Sequence, residues 1–166
     1  ASAVSGESYN IAIGDGALST ENSNATGCVA IGYYALQDQN QALANNVAVG
    51  YQAALNLTSG TDSVYMGYLA GGAGTITGGN NVAVGKSAAL NAIGMSASVF
   101  VGYNAGGLGV VAGNGNTCVG AAAGYRLTSG ASNVIIGLDA GQNITTAGSI
   151  IAIGHGALDA ATTSAF

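Results

Sequence analysis

The 166-residue chain contains no proline and no tryptophan, and only 5% of its residues are charged. Disordered segments are usually highly charged and poor in branched apolar residues. The abundant valine and isoleucine therefore predict an ordered chain. Its length is that of one ordinary domain, and we expect residues 1–166 to form a single unit.

Positive charge is especially scarce. The net charge is −5, and Lys86 and Arg126 are the only cations. Nucleic acids and anionic membrane surfaces are bound through many Lys and Arg side chains, so neither is expected as a partner. The uncharged stretch between the two cations is interrupted every few residues by Asn, Gly or Ser, which does not fit a membrane-spanning helix.

Residues that carry out chemistry are also few. His155 is the only histidine, and the seven carboxylates follow no repeating calcium-ligand pattern. We therefore predict no catalytic residues, no cofactor and no metal site, and a protein that is not an enzyme.

The chain is rich in glycine, with 29 residues, and one phrase recurs nine times: three strand-forming residues, Gly, two free positions and Ala. Successive copies lie 17 or 18 residues apart. Such self-similarity indicates a repeat architecture. The repeated glycines are Gly14, Gly32, Gly50, Gly67, Gly85, Gly102, Gly120, Gly137 and Gly154. The alanines three residues later are Ala17, Ala35, Ala53, Ala70, Ala88, Ala105, Ala123, Ala140 and Ala157.

Positions within each repeat are counted from its glycine, which is position 0. Positions −3 and −1 are aliphatic in 17 of 18 cases, while position −2 is most often Ala. Because alternate residues of a strand share a face, we expect positions −3 and −1 to be the buried face. Position −2 would point the other way, toward a neighbouring layer or chain. Position −4 is mostly Asn or Ser, which can bond to laddered backbone.

A second aliphatic segment follows in the back half of most repeats, and it predicts a second short strand there. Its central residues are Leu57, Ile76, Ile93, Val111, Leu127 and Ile144. Stacked in register, nine such coils of 17–18 residues form an all-β parallel β-solenoid over residues 10–158, a rod about 40 Å long. Cys28 and Cys118 would lie about 24 Å apart in it, too far for a disulfide.

The phrases NVAVG, SVFVG and NIAIG resemble the head repeats of YadA-type trimeric autotransporter adhesins. The runs NNVAVGYQAAL and SVYMGYLAGG are similar to repeats of bacteriophage tail fibres and large bacterial surface proteins. The resemblance covers residues 10 to about 158. It implies a left-handed β-roll, three chains side by side, and a place on an extracellular fibre of a cell or virion. The coils here are longer than in the autotransporter heads, and no coiled-coil stalk or membrane anchor is seen.

Two other repeat proteins were weighed as alternatives. Residues 13–18 and 49–54 fit the left-handed hexapeptide helix of many acyltransferases, but 17-residue coils break its count and the basic residues for a phosphate-rich donor are missing. An ice-binding protein would need a regular array of threonines. Here the threonines fall irregularly between coils.

Position +1 holds the candidate contact residues. Tyr33, Tyr51, Tyr68 and Tyr103 share it, interrupted by Lys86. They are interpreted either as a stacked ladder that covers the corner of the coil or fills a chain-to-chain contact, or as an aromatic strip for carbohydrate or a host surface.

Asp15 and His155 occupy position +1 in the first and last copies. They are either solvated loop residues or a charge pair at an end-to-end joint between subunits, since neither terminal segment looks like a cap.

Two functions follow from this sequence. The first is a structural subunit of an extracellular fibre, built by end-to-end and side-by-side packing of copies. The alternative is the receptor-binding head or shaft of a trimeric adhesin or tail fibre, with a cell-surface receptor or glycan as partner.

The end-to-end joint can be tested by reversing one of its charges. If His155 of one subunit meets Asp15 of the next, His155→Asp places two carboxylates together and should slow filament growth. Filament length measured by negative-stain electron microscopy reports the effect. Filaments that grow as long as those of the unsubstituted chain would contradict the joint.

Overall fold

A computed structural model describes residues 9–19, 25–39 and 44–160. Nine three-residue strands lie in this part of the chain, one at each copy of the repeated phrase. They are β1 (Ile11–Ile13), β2 (Val29–Ile31), β3 (Val47–Val49), β4 (Val64–Met66), β5 (Val82–Val84), β6 (Val99–Val101), β7 (Thr117–Val119), β8 (Val134–Ile136) and β9 (Ile151–Ile153).

All nine strands belong to one parallel sheet, in chain order. Each residue pairs with the residue at the same position of the next repeat, as Val82 does with Val99. Every connection of 17 or 18 residues between equivalent positions therefore completes one turn, and the nine strands span eight turns of a β-solenoid. The predicted fold class is confirmed, and the described residues contain no helix.

The orientation predicted for the strand was wrong. Position −2 is the one that points into the coil: Ala48, Tyr65 and Phe100 are 0% exposed. Positions −3 and −1 face outward, and Ile151 is 72% exposed. The coil is so narrow that each three-residue strand sends a single side chain inside, and the middle residue is the one that fits.

The second strand predicted for each repeat was also wrong. The back halves contain only one isolated bridge among the described residues, Leu57 to Ile76. Backbone hydrogen bonds still join successive coils there, for example from Ile93 N to Val111 O at 3.0 Å.

The predicted aliphatic residues of the back halves do fill the interior, except in the fifth coil. Ile93 is 40% exposed, and Met95 is buried instead. The reason is that Ala92 stands where Leu57 and Leu127 stand in other coils, so the longer Met95 supplies the missing volume.

The repeated glycines permit close stacking of the coils. Their φ angles lie between 120° and 136°, a region that other residues rarely enter. A Cβ atom at Gly85 would lie 2.6 Å from the carbonyl oxygen of Gly102. Since that obstacle is backbone, no side-chain movement could relieve it.

The repeated alanines close a tight turn. The amide of each donates to the carbonyl of the glycine three residues earlier, at 3.2–3.4 Å. Their methyl groups point into the core, and all are buried except the partly buried Ala157 in the ninth coil. An inner corner of this size has room for a methyl group and little more.

The interior is filled by pairs of residues at positions −2 and +4, six residues apart. Where position −2 is larger than Ala, position +4 is Gly, as in the pairs Tyr65 with Gly71 and Phe100 with Gly106. A Cβ at Gly106 would lie 2.5 Å from the Phe100 ring. Where position −2 is Ala, position +4 is Ala or Leu, so at most one of the two positions holds a residue larger than Ala.

The Asn and Ser residues of position −4 form a buried polar ladder, as predicted. Asn46 Oδ1 accepts from the amide of Ser63 at 2.9 Å, and Ser63 Oγ accepts from the amide of Asn81 at 2.9 Å. The Asn81 side chain continues the series to Ser98. These bonds satisfy amides that would otherwise be buried without a partner.

The paired filling predicts strong coupling between Phe100 and Gly106. Phe100→Ala should lower the free energy of unfolding by about 3–5 kcal/mol through a cavity, and Gly106→Ala by about 1–3 kcal/mol through overlap with the ring. The double variant recreates the Ala83 and Ala89 pair of the preceding coil. Its loss in free energy of unfolding should be about 1–3 kcal/mol smaller than the sum of the losses in the two single variants. Urea unfolding of the four proteins measures the cycle, and additive losses would contradict the interpretation.

Alkaline pH should destabilise the rod through two buried groups. Burial raises the pKa of Tyr65 to about 12 and that of Cys118 to about 12. Above about pH 8.5 for the thiol and pH 10 for the phenol, the unfolded chain releases protons that the folded chain retains. The free energy of unfolding should then fall by about 1.4 kcal/mol per pH unit for each group. Cys28 is buried as well, so the comparison is made in a Cys28→Ala background. There Cys118→Ala should move the start of the decline to nearer pH 10, and an unchanged profile would argue against this origin.

Candidate interaction surface

The outward side chains at positions −3 and −1 of the nine strands form one continuous surface, here called the sheet face. It carries 17 aliphatic residues and Thr117, and no charge. Ile11 is 51% exposed and Met66 41%, while most of the valines are half-buried by their neighbours along the sheet. Such a long apolar surface is unusual for a monomeric soluble protein.

Two exposed columns with different chemistry flank the sheet face. Position +1, the tyrosine border, follows the carboxyl ends of the strands. It consists of Asp15, Tyr33, Tyr51, Tyr68, Lys86, Tyr103, Ala121, Leu138 and His155. Position −5, the polar border, precedes the amino ends. Its described members are Tyr9 in the first copy and then, with short side chains or none, Gly27, Asn45, Asp62, Asn80, Ala97, Gly115, Ser132 and Ser149.

The tyrosines of the tyrosine border stack on one another, as one of the two interpretations predicted. The ring centroids of Tyr33 and Tyr51 lie 5.3 Å apart with an interplanar angle of 15°, and those of Tyr51 and Tyr68 lie 5.1 Å apart at 10°. The Tyr33 ring also contacts Tyr34, with a centroid distance of 4.2 Å. A hydrogen bond with Tyr34 and partial burial raise the pKa of Tyr33, which keeps its phenol protonated.

Lys86 continues the stack in place of an aromatic ring. Its Nζ lies 5.7 Å from the Tyr68 ring centroid and 5.8 Å from that of Tyr103. Both distances fit cation–π contacts. The tyrosine border is therefore one connected column from Tyr33 to Tyr103, and it presents ring edges and hydroxyl groups to solvent.

The polar border is built from short side chains on backbone with positive φ, such as 54° at Asp62 and 53° at Ala97. Asn45 Nδ2 donates to Asp62 Oδ1 at 3.0 Å. Hydrogen bonds from Asn45 and Thr61 lower the pKa of Asp62, so this carboxylate stays charged at neutral pH. The sequence reasoning missed this border, although its small polar residues recur at one fixed position.

Asp15 and His155 are exposed at opposite ends of the tyrosine border. One chain does not bring them together, so their pairing remains a prediction about two copies. The terminal segments that were judged not to resemble caps lie mainly outside the described residues.

Other candidate sites are absent from the part of the chain that the structure describes. No cluster of three or more His, Cys, Asp or Glu side chains occurs there. Cys28 and Cys118 are both buried, and no disulfide joins them. Helices long and apolar enough to cross a membrane are likewise not found among these residues.

Threonine hydroxyls bond to the backbone of the next coil. Thr58 Oγ1 donates to Ile76 O at 3.4 Å and Thr128 Oγ1 to Thr145 O at 3.0 Å. These hydroxyl groups form hydrogen bonds within the rod, which argues against a free array of threonines that could bind ice.

The coils and their stacking define the chain as a β-solenoid repeat protein. Comparison with protein-family models, with curated proteins and with solved structures gives no match. The geometry of the sheet face and its borders therefore carries the functional argument.

Proposed function

We propose that this protein is a non-enzymatic structural rod that packs side by side with copies of itself in an extracellular fibre. The observation that carries the proposal is the sheet face, whose aliphatic side chains point outward along the full length of the described sheet. Burying these side chains against a second apolar surface removes them from water, which is the main favourable term in association.

The size of the surface suits such an assembly. Three strand residues span about 10 Å, and nine strands extend about 40 Å along the rod. The strands alone therefore present about 400 Å², and the borders on either side widen the surface toward the roughly 800 Å² that one partner contributes to a standard protein interface. A face without charge also requires no desolvation of ions.

A second copy of the chain is the partner whose spacing fits. The outward side chains repeat once per coil, about every 4.8 Å along the rod. Contacts between two rods can stay in step over eight turns only when both have the same spacing. Identical chains meet this condition, whereas a partner of another period would lose register.

The stacked tyrosines favour assembly over the alternative of a receptor-binding or adhesive head. A sugar packs against the flat face of an aromatic ring, but the faces of Tyr51 are covered by Tyr33 and Tyr68. Exposed edges and hydroxyls suit contact with another protein surface. The end-to-end joint through Asp15 and His155 would add length to the same fibre. The extracellular location proposed for the fibre rests on the resemblance of the repeats to those of surface fibres.

Charge placed on the sheet face should prevent the assembly. Val82→Lys/Val84→Lys adds two outward charges to β5, which a packed apolar interface could not accommodate. We expect light scattering after gel filtration to find oligomers for the unsubstituted chain and monomers for this variant.

Thr75→Lys/Thr77→Lys is the matched control. It adds the same charges at exposed positions of the preceding coil, away from the sheet face, and should remain oligomeric. A monomeric parent chain, or a β5 variant that still assembles, would overturn the proposal.

A further inference from the structure

The two borders of the sheet face are chemically unlike, and this difference bears on how neighbouring rods are oriented. The tyrosine border offers phenol hydroxyls and the Lys86 ammonium as hydrogen-bond donors. The polar border offers short side chains with acceptor oxygens, including the Asp62 carboxylate. One edge of the face is therefore large and donor-rich, and the other is small and acceptor-rich.

Symmetry determines which borders meet. In the first case the rods run in the same direction and are related by rotation about an axis parallel to them. Each coil then stays at the same height along the axis, and the carboxyl edge of one sheet meets the amino edge of the next. When two rods run in opposite directions about a two-fold axis along the strands, like edges meet. The first arrangement joins tyrosine border to polar border, and the second joins each border to itself.

The same-direction arrangement gives complementary contacts at each level. Tyr68 and Asp62 flank the same strand, β4, so the Tyr68 hydroxyl of one rod would come level with the Asp62 carboxylate of the next. Lys86 would come level with Asn80 and one coil away from Asp62. In the sixth coil, the ring of Tyr103 would meet the small side chain of Ala97.

The opposite-direction arrangement would bring Asp15 level with His155 at both ends of the pair, but it places a conflict at the centre. With all nine strands overlapped, β5 lies on β5, and Lys86 faces Lys86 of the other rod. On each side of this lysine pair, β4 of one rod would lie on β6 of the other. Tyr68 would then face Tyr103, and the two rings would be crowded together. Like charges placed together disfavour such an arrangement.

From this asymmetry we infer that neighbouring rods run in the same direction, with the tyrosine border of one seated on the polar border of the next. The inference rests on the side-by-side packing proposed above. It adds a direction and a residue-level pairing to that packing, and it holds for a closed pair or a larger ring.

Cysteine cross-linking distinguishes the two directions. Ala97→Cys/Tyr103→Cys places a thiol on each border of the sixth coil. Within one chain the two thiols flank opposite ends of β6, and a bridge between them would leave the chain at the mass of a monomer on the gel. Under mild oxidation this variant should give covalent oligomers in most of its chains on a non-reducing gel, while either single substitution should not.

Lys86→Cys alone is the reporter for opposite directions, because only there does residue 86 meet its own copy. The unsubstituted chain should show no cross-link, since both of its thiols are buried. Light scattering is run on the same samples. If the parent chain is monomeric, side-by-side packing itself fails. If oligomers form but Lys86→Cys is the variant that cross-links, or neither variant does, the inferred direction is overturned.

Discussion

The closeness of successive coils is the constraint on which the rest of the structure depends. At the glycine of each repeat the backbone passes so near the next coil that a single Cβ would overlap a carbonyl oxygen. That approach allows the parallel ladder to form with only three residues per strand. It also fixes every other position of the repeat, because once one backbone atom is in register with the next coil, the remaining residues stack on their equivalents.

A coil held this tightly has a narrow interior. Each strand contributes one inward side chain, and the alanine of the turn, position +4 and the apolar residue of the back half fill the remainder. The two other strand residues then have nowhere to go but outward, although they are the most apolar of the three. The exposed sheet face is thus a direct result of the small cross-section of the coil, and an apolar surface of that extent is what association with a like surface would remove from water.

The sequence made the strands, their parallel order and the solenoid predictable, because the same phrase recurs at nearly constant spacing. It did not reveal which face of the strand is buried, since alternation defines a period of two but not its direction, and both faces here are apolar. A usable signal was present: Tyr65 with Gly71 and Phe100 with Gly106 show that size at position −2 is balanced six residues later, which only an inward residue requires. The tyrosine stack could be predicted from one shared position, whereas the burial of Met95 depends on the shortness of Ala92 nearby.

The large and small residues that fill the interior are balanced within one coil. Phe100 is accommodated by Gly106, and the short Ala92 is balanced by the longer Met95 three residues later. A turn that fills itself can be added or removed as a unit without disturbing the packing of its neighbours. The length of such a rod can therefore change during evolution in whole steps, by gain or loss of one coil, while its cross-section and lateral surfaces stay the same.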